Sequence, residues 1–461
     1  MSKVLVSKEK LDTLSETIKT KTNKTNNLTI DEMNEAVENI ASGDIEINGL
    51  IKQYQVYAGE NISAGDFVEY LNSVYKDLVT SQYAGNTFSA VLLETNKIFV
   101  AYTRNNYLYG VIVTINGMTI TSNQTSLYSS KNCYNGPYCV LLETNKVFIA
   151  HGGSSSYDLY GTIVTINGTS MTYVSSQLNS ESYSTRGLSC ILLEANKIFI
   201  AHSYSSSYCL SGTIVTIDGT NMTAVSSVLN SDANSCYGSP SCVLLESNKV
   251  FIANMKDTSN SKLSGTIVTI DGTNMTAVSS VLNSDANSCN YKPSCILVAP
   301  NKVFIAHNYG TNTSTGYHCL SGTIVTIDGT NMTAVFKILN NTNYSHRANV
   351  GLLLLETNKV YISHGCTSSE HLYGETVEID GTDMNVTKVD VIDTGYNSGG
   401  KECFILESGD MFILQGRTST VYLAGRIYLG DQVKPYESNI LGVAKSSGAG
   451  GDIIDVVVPN T

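Results

Sequence analysis

A twelve-residue apolar segment recurs seven times along the chain, and this repetition limits the possible folds more than any other feature. Its first copy reads VLLETNKIFVAY and a later one VLLESNKVFIAN, and neighbouring copies start 49 to 57 residues apart. A repeat of about fifty residues is typical of propeller blades and solenoids. The copies lie at residues 91–102, 140–151, 191–202, 243–254, 296–307, 353–364 and 404–415.

Each repeat contains four short segments rich in Val, Ile, Thr and Phe, which favour half-buried strands. In the fourth copy the predicted strands are Cys242–Leu245, Val250–Ala253, Gly265–Ile270 and Met275–Leu282. The pair Asp271-Gly272 predicts a hairpin turn, since both residue types tolerate positive φ. Four strands per repeat match a propeller blade. We therefore predict a mainly β protein with a seven-bladed β-propeller.

The two ends of the repeat array complement each other. The seventh copy supplies only three strands, Phe404–Leu406, Met411–Leu414 and Leu423–Leu429, whereas Val74–Thr80 precedes the first copy in the phase of a fourth strand. We expect Val74–Thr80 to complete the last blade, which closes the ring and removes free sheet edges. The main rival, a β-solenoid, does not need complementary half-repeats.

Two further regions flank the predicted propeller at 74–432. Residues 7–20 and 30–41 show helical apolar spacing, with a capping box from Thr29 to Glu32, and predict a helical hairpin over 1–48. Such a hairpin buries little alone, so we expect it to dock on a partner or to oligomerise. Residues 49–73 and 433–461 predict two halves of one small β domain into which the propeller is inserted.

Composition argues against several functions. The net charge is −12 with 28 Lys+Arg and no basic cluster of note, so nucleic-acid binding is not expected. No apolar run is long enough for a membrane helix, and the N-terminus does not read as a secretory signal. We therefore expect assembly in a cytoplasm, where the 11 cysteines are free thiols by default.

The N-terminal segment EKLDTLSETIKTKTNKTNNLTIDEMNEAVENI resembles the helical start of tail and fibre proteins of phages that infect low-GC Gram-positive bacteria. The segments AGENISAGDFVEY and ILGVAKSSGAGGDIIDVVVP are similar to small β modules of phage fibre and head-decoration proteins. The repeats themselves carry no WD40, kelch or sialidase signature. The resemblance implies a structural component of a virion, attached to other virion proteins through residues 1–48.

Comparison of the seven copies separates a constant face from a variable one. The turns ETNK and DGTNM repeat nearly unchanged, whereas the connectors after strands two and four differ and are rich in Tyr, Ser, Asn and Gly. This composition is typical of adaptable binding loops, although neutral solvated loops are the alternative. The candidate binding residues on the variable face are Tyr102, Tyr107, His151, Tyr157, His202, Tyr208, Asn254, His307, Tyr317 and His364.

The histidines among these candidates occupy one phase at the end of strand two, one per blade, with Tyr102, Asn254 and Gln415 in other copies. Metal ligands must converge on one point, so this arrangement favours a structural role and no metal site. His318, His346 and His371 lie in connectors without a Cys or carboxylate cluster. We expect no cofactor.

Cysteines occupy the residue before the repeat segment in five copies, where Ala90 and Leu352 replace them elsewhere, so they read as small buried apolar residues. A connector-to-strand disulfide remains an alternative for the pairs Cys133/Cys139, Cys236/Cys242 and Cys289/Cys295. The repeated Glu and Lys of the ETNK turn read as turn ion pairs. Glycoside cleavage needs two carboxylates in different environments, which near-equivalent repeats do not provide.

These observations predict a non-enzymatic virion-surface protein, a tail fibre or adhesin, whose variable face binds a host-surface saccharide or surface-layer protein. A head-decoration or hub protein without a dedicated receptor is the alternative. A hydrolase of cell-wall polysaccharide is the third hypothesis, and the missing catalytic pair disfavours it.

Overall fold

The computed structural model of the chain describes residues 51–459 with gaps, and the predicted hairpin at 1–48 lies outside the described residues. No helix is present in the part that is described, which consists of strands and turns. The gaps are 58–66, 70–72, 80–83, 118, 128–132, 134, 154–157, 180–186, 205–206, 257–260, 286–287, 290–291, 311–318, 341–349, 366–371, 394–399, 417–422, 429–439 and 445–452.

The described strands form eight four-stranded sheets. Six of them, blades 1 to 6, are each built from one continuous stretch of chain with consecutive strands side by side. Their strands are β4–β7 (Ala84–Glu94, Lys97–Arg104, Tyr107–Asn116, Thr119–Ser126), β8–β11 (Asn135–Glu143, Lys146–Gly152, Leu159–Asn167, Ser170–Asn179), β12–β15 (Leu188–Glu194, Lys197–Tyr204, Cys209–Asp218, Asn221–Asn230), β16–β19 (Ser241–Glu246, Lys249–Lys256, Lys262–Asp271, Asn274–Asn283), β20–β23 (Ser294–Ala299, Lys302–Tyr309, Cys319–Asp328, Asn331–Asn340) and β24–β27 (Gly351–Glu356, Lys359–Gly365, Leu372–Asp380, Asp383–Asp393).

The chain is thus mainly β and contains a β-propeller, as predicted, but the number of blades needs a correction. The structure supports six blades of continuous chain rather than seven. The repeat that ends at Tyr428 holds only three strands, because the chain leaves the repeat pattern there. It forms a composite sheet with a strand from the other end of the array, in the order β28 (Gly400–Ile405), β29 (Met411–Gly416), β30 (Leu423–Tyr428) and β3 (Ser73–Val79).

The eighth sheet is not part of a blade. It combines strands from the segments that precede and follow the propeller in the sequence. Its order is β1 (Ile51–Tyr57), β32 (Ile453–Pro459), β31 (Ile440–Ala444) and β2 (Phe67–Glu69). β1 pairs with β32 in antiparallel register over its whole length, with Tyr54 opposite Val456. Each predicted half of the small β domain therefore supplies two strands. This sheet belongs to the smaller of two compact units, and the larger is Tyr75–Thr114 with Ile120–Arg426.

The four strands of a blade differ in burial because they lie at different distances from the propeller axis. The first strands of successive blades contact one another, as β12 contacts β8 and β16, so they lie nearest the propeller axis. The second strands are buried on both faces, as in Val250–Met255. Fourth strands alternate between exposed and half-buried residues, as in β15, because they form the outer edge.

Most of the core lies between blades rather than within them. Phe199 and Leu210 of blade 3 pack in one cluster with Cys236, Val250 and Ile252, which belong to blade 4 or to the connector before it. Each blade therefore buries its apolar faces only against its neighbours, which is the general property of stacked repeats.

Glycine in the third strand makes this inter-blade packing possible. A methyl group at Gly212 would lie 2.7 Å from Cε2 of Phe199 and 3.1 Å from Sδ of Met275 in the next blade. The same combination of a glycine with the aromatic ring of strand two and the methionine of the following blade recurs at Gly161, Gly265 and Gly322.

The backbone conformation of the turns on the constant face explains why their sequence repeats. Asp271 pairs with Asn274, so the two loop residues are Gly272 and Thr273 rather than the predicted Asp-Gly pair. Gly272 has φ +60°, a value that a first loop residue adopts in a type II′ turn and that glycine tolerates best. The Asp precedes the turn as the last residue of the strand.

Candidate functional site

The variable face is built where the connector after a fourth strand crosses the turn between strands two and three of the same blade. The amide of Cys236 donates to the carbonyl of Tyr208 over 2.8 Å, and the amide of Cys289 donates to the carbonyl of Ser261 over 2.7 Å. Cys133 donates to the carbonyl of Asn106 in the same way. The backbone of this face is therefore repeated even where the side chains differ.

Two of the connectors are more alike than the sequence comparison suggested. Residues 230–236 and 283–289 both read NSDANSC. In each, the first Asn accepts a hydrogen bond from the amide of the Asp two residues later, at 2.9 Å. The hydroxyl of Ser235 accepts a hydrogen bond from the amide of Leu210, near the start of strand three. The hydroxyl of Ser288 accepts one from the amide of Leu263 in the same way. In these two connectors the sequence therefore differs only after the cysteine, so the part that varies between blades is shorter than the whole connector.

The residue whose carbonyl receives the cysteine amide has a left-handed backbone. The φ values are +65° for Asn106, +49° for Tyr208 and +37° for Ser261. We call this residue the display position of a blade. Its backbone is held by an identical hydrogen bond in three blades while its side chain changes among Asn, Tyr and Ser. A left-handed conformation is unfavourable for a bulky side chain such as tyrosine.

The junction between blades 3 and 4 brings aromatic and charged side chains together. The rings of Tyr208 and Tyr237 meet edge to face, with centroids 5.2 Å apart. Lys256, at the end of β17, forms an ion pair of 2.8 Å with Asp232 in the connector. The sequence comparison placed Asp232 and Tyr237 in a variable connector without singling them out, and it did not indicate Lys256. The duplicated NSDANSC segment was the signal that could have indicated this scaffold.

The histidines at the ends of the second strands are buried, so they do not form an exposed contact surface. His151, His202, His307 and His364 have at most 1% of their surface exposed, as do Tyr102 and Asn254. Their strand lies in the middle of a blade and is covered on both faces, which is why the end of strand two remains inside. Their predicted contact with a ligand stays a prediction, whereas their burial agrees with the structural role.

A directed chain of hydrogen bonds crosses blade 3 from its outer edge to His202. Asn179 donates to Ser226 (2.8 Å), the Ser226 hydroxyl lies 2.8 Å from Thr213 Oγ1, and Thr213 lies 2.9 Å from His202 Nε2. His202 Nδ1 lies 3.1 Å from the carbonyl of Ser203. A carbonyl only accepts, so Nδ1 carries a proton. Burial lowers the pKa of His202 to about 4, so the ring is neutral near pH 7 and its Nε2 accepts from Thr213.

Burial has the same consequence for three of the histidines. Loss of hydration lowers the pKa of His151, His202 and His307 from 6.5 to about 4. Thr162 and Thr323 contact the Nε2 atoms of His151 and His307 at 3.0 and 2.8 Å. Blade 6 differs, since Glu375 replaces the threonine and its Oε1 lies 3.2 Å from His364 Nε2 and 2.7 Å from Asn340 Nδ2.

The structure describes two of the four remaining predicted binding residues. Tyr208 is half-buried at the display position, and Tyr107 is half-buried at the start of β6. Tyr157 and Tyr317 lie outside the described residues, as do His318, His346 and His371. The structure therefore brings Tyr208, rather than the histidines, to the variable face.

All described cysteines are free thiols, so the alternative of connector-to-strand disulfides does not hold for Cys133/Cys139, Cys236/Cys242 or Cys289/Cys295. Their partners are backbone carbonyls: Cys236 donates to Gly238, and Cys139 to Ser89 in the preceding blade. Burial raises the pKa of Cys236 to about 12 and that of Cys295 to about 11, which keeps both thiols protonated.

The channel mouth on the variable face carries one contact between distant blades. Lys292, in the connector before β20, donates to the hydroxyl of Tyr138 in β8 over 3.0 Å, and its Nζ lies 4.4 Å from the ring centroid. The contact joins an aromatic ring and an ammonium group across the channel.

Turn ion pairs on the constant face follow the prediction from the repeat. Lys197 and Glu194 are 3.1 Å apart, and Lys249 and Glu246 are 2.9 Å apart. The carboxylates are more than half exposed, so these pairs add little stability. Within the described ranges, no group of three His, Cys, Asp or Glu side chains is arranged to hold a metal ion, and no helix long and apolar enough to cross a membrane occurs there.

The fold and this face define a β-propeller protein with a repeated backbone and a variable loop face. The chain is similar to the lectin BP39L from Burkholderia pseudomallei, with a TM-score of 0.51, 11% identity, and 66% of this chain and 83% of that one covered. A protein from Lactobacillus plantarum has the same TM-score and identity, with coverages of 71% and 90%.

The WD40 domain of coronin from Toxoplasma gondii covers 85% of this chain and 91% of its own, at 10% identity and a TM-score of 0.47. Likeness at these identities concerns the fold alone. No family model and no curated protein matches the chain.

Proposed function

We propose that this chain is a non-enzymatic recognition protein whose variable face binds a saccharide or a surface-layer protein on a cell. The display position carries the proposal: Asn106, Tyr208 and Ser261 share one backbone conformation and one hydrogen bond while their side chains differ. A scaffold that fixes the backbone and varies the side chain is the arrangement by which binding loops obtain specificity.

Several of the described carboxylates are engaged by other side chains, which favours a binding role over a hydrolytic one. On the variable face Asp232 pairs with Lys256, and Asp285 accepts from Tyr309. Within the described part of the chain, the Glu residues of the ETNK turns lie on the constant face, where Glu194 and Glu246 pair with lysines. Glu375 is fully buried inside blade 6 against His364 and Asn340. Hydrolysis of a glycoside requires two carboxyl groups that both reach one sugar.

Repetition of the face around the ring favours multivalent attachment. Several weak sites on one rigid propeller act at high effective concentration against a repeating surface polymer, so a single site need not bind tightly. The virion setting, with attachment through residues 1–48 and the chain as a tail fibre or adhesin, rests on the resemblance of the N-terminal segment and of the split β module.

The test is binding of the labelled full-length chain to intact low-GC Gram-positive cells. We expect saturable binding that unlabelled chain displaces and that a constant-face variant, Glu194→Ala, leaves unchanged. Periodate treatment of the cells should abolish binding to a saccharide, and protease treatment should abolish binding to a surface-layer protein. Absence of saturable binding across a strain panel, or release of reducing sugar from the walls, would contradict the proposal.

We also propose that the composite sheet acts as a seventh blade that closes the ring. Its first strand, β28, contacts β24 on one side and β4 on the other. Asn96 of blade 1 donates to Glu407 over 3.0 Å and accepts from the Glu407 amide over 3.3 Å. Leu78 lies against Gly425 as Leu229 lies against Gly212 in blade 3.

A matched pair of variants tests this closure. If β3 is an integral strand, Leu78→Ala should lower the free energy of unfolding by about 2–5 kcal/mol, as truncation of a buried leucine does. Leu229→Ala, in the equivalent position of a continuous blade, should cost a similar amount. Chemical denaturation measures both. A Leu78 variant as stable as wild type would mean that β3 is a peripheral strand and that the ring is not closed through it.

A further inference from the structure

The junctions that follow blades 3 and 4 share one scaffold but differ in the side chains they present. Both contain the NSDANSC connector, and in both an Asp accepts from the last residue of strand two in the next blade: Asp232 from Lys256 at 2.8 Å, and Asp285 from Tyr309 at 3.2 Å. The aromatic pairs differ: Tyr208 meets Tyr237 at the junction after blade 3, whereas Tyr309 packs against Phe336 of blade 5 at the junction after blade 4. This difference between equivalent places points to a specific role for the pair of Tyr208 and Tyr237.

Tyr208 holds a conformation that its side chain disfavours. Its φ is +49°, whereas Asn, Asp and Gly are the residues that tolerate this region. The amide of Cys236 fixes its carbonyl, and the amide of Asn234 donates to the neighbouring carbonyl of Ser207 at 2.6 Å. The scaffold therefore imposes the backbone, and a tyrosine there is unfavourable for folding, which indicates selection for what its ring contacts.

The aromatic pair and the ion pair belong to one connected surface. The amide of Tyr237 donates to the carbonyl of Met255, the residue before Lys256, over 3.0 Å. Asp232 lies four residues before Cys236, whose amide holds Tyr208. Tyr208 and Tyr237 are half-buried, the Asp232 side chain is 62% exposed, and that of Lys256 is 29% exposed. Rigid rings and a solvent-accessible carboxylate and ammonium thus lie on one junction.

We infer that the junction formed by Tyr208, Tyr237, Asp232 and Lys256 is a subsite for a neutral hexose, and that Tyr208 determines its specificity. This inference rests on the proposed function and specifies its ligand. The apolar face of a pyranose packs on an aromatic ring. Vicinal hydroxyls donate to a carboxylate and accept from an ammonium, so the ion pair matches both roles of a hydroxyl. At the junction after blade 4 the display position carries Ser261 in place of a tyrosine.

The test uses full-length protein and methyl glycosides of glucose, galactose, mannose and N-acetylglucosamine, observed by saturation-transfer NMR. We expect at least one glycoside to receive saturation, and Tyr208→Ser to weaken its binding at least tenfold. Ser261→Ala, at the matched display position, should leave affinity unchanged.

Stability separates a recognition role from a structural one. Tyr208→Asn, which relieves the left-handed strain, should melt at the wild-type temperature or above it while losing the glycoside signal. A marked fall in its melting temperature would assign Tyr208 to the scaffold and overturn the inference. Wild-type protein that binds cells but none of the four glycosides would also overturn it, while leaving the proposed function standing. If the wild-type protein itself does not bind cells, the proposed function is wrong.

Discussion

Acidification from pH 6.5 to pH 4 is expected to destabilise the propeller steeply through three buried histidines. Burial lowers the pKa of His151, His202 and His307 to about 4, whereas in the unfolded chain a histidine titrates near 6.5. Between these values the unfolded state binds the proton and the folded state does not, so stability falls as pH falls. Each histidine should contribute roughly 2 kcal/mol of this loss by pH 5.

The hydrogen-bond chain of blade 3 gives the physical reason. His202 Nε2 accepts a hydrogen bond from the hydroxyl of Thr213, and that hydroxyl accepts one from the hydroxyl of Ser226. A proton on Nε2 would turn the acceptor into a donor and place an unpaired charge in a fully buried position.

Urea unfolding at a series of pH values measures the effect, and the slope against pH is the decisive quantity. His202→Asn introduces the residue that blade 4 carries as Asn254 in the equivalent position, so the backbone environment accepts it. We expect this variant to reduce the slope between pH 6.5 and 4 by about one histidine's share, whatever its stability at pH 7. An unchanged slope would mean that His202 is not among the groups that cause acid unfolding.

Adding a methyl group at Gly212 is expected to destabilise the interface between blades 3 and 4. The methyl carbon would lie 2.7 Å from Phe199 and 3.0 Å from Leu229, both in close-packed surroundings. Overpacking of this kind costs about 1–3 kcal/mol. Thermal or urea denaturation of Gly212→Ala measures it, and Thr220→Ala, at an exposed turn position, should change stability by less than about 0.5 kcal/mol.

A double-variant cycle tests the proposed cause. Phe199→Leu removes the ring atoms nearest to the new methyl group, so Gly212→Ala should cost less in that background than in wild type. Strictly additive effects would show that the glycine is required for another reason, such as backbone conformation. Because the glycine recurs at Gly161, Gly265 and Gly322, the same outcome should hold at those positions.

Comparison of the repeated copies was enough to predict the repeating part of the molecule. Seven copies of one segment, with apolar runs and turn residues at constant offsets, define where the strands of blades 1 to 6 lie, because strand alternation and turn chemistry are local properties. Complementary half-repeats at 74–80 and 404–429 indicated the composite sheet, in which β3 lies next to β30. The turn ion pairs and the role of the cysteines as small buried residues also followed from comparing the copies.

Which side chains reach solvent on the variable face depends on the three-dimensional arrangement of the strands, and it could not be predicted from the copies. His202 and Tyr208 are six residues apart in similar polar sequence, yet the first is fully buried in the middle of a blade and the second is half-buried at a junction. Periodicity reports the alternation of a strand but not its distance from the propeller axis. The left-handed backbone of Tyr208 depends on a hydrogen bond from Cys236, 28 positions away, and such contacts between separate segments arise only when the blade has formed.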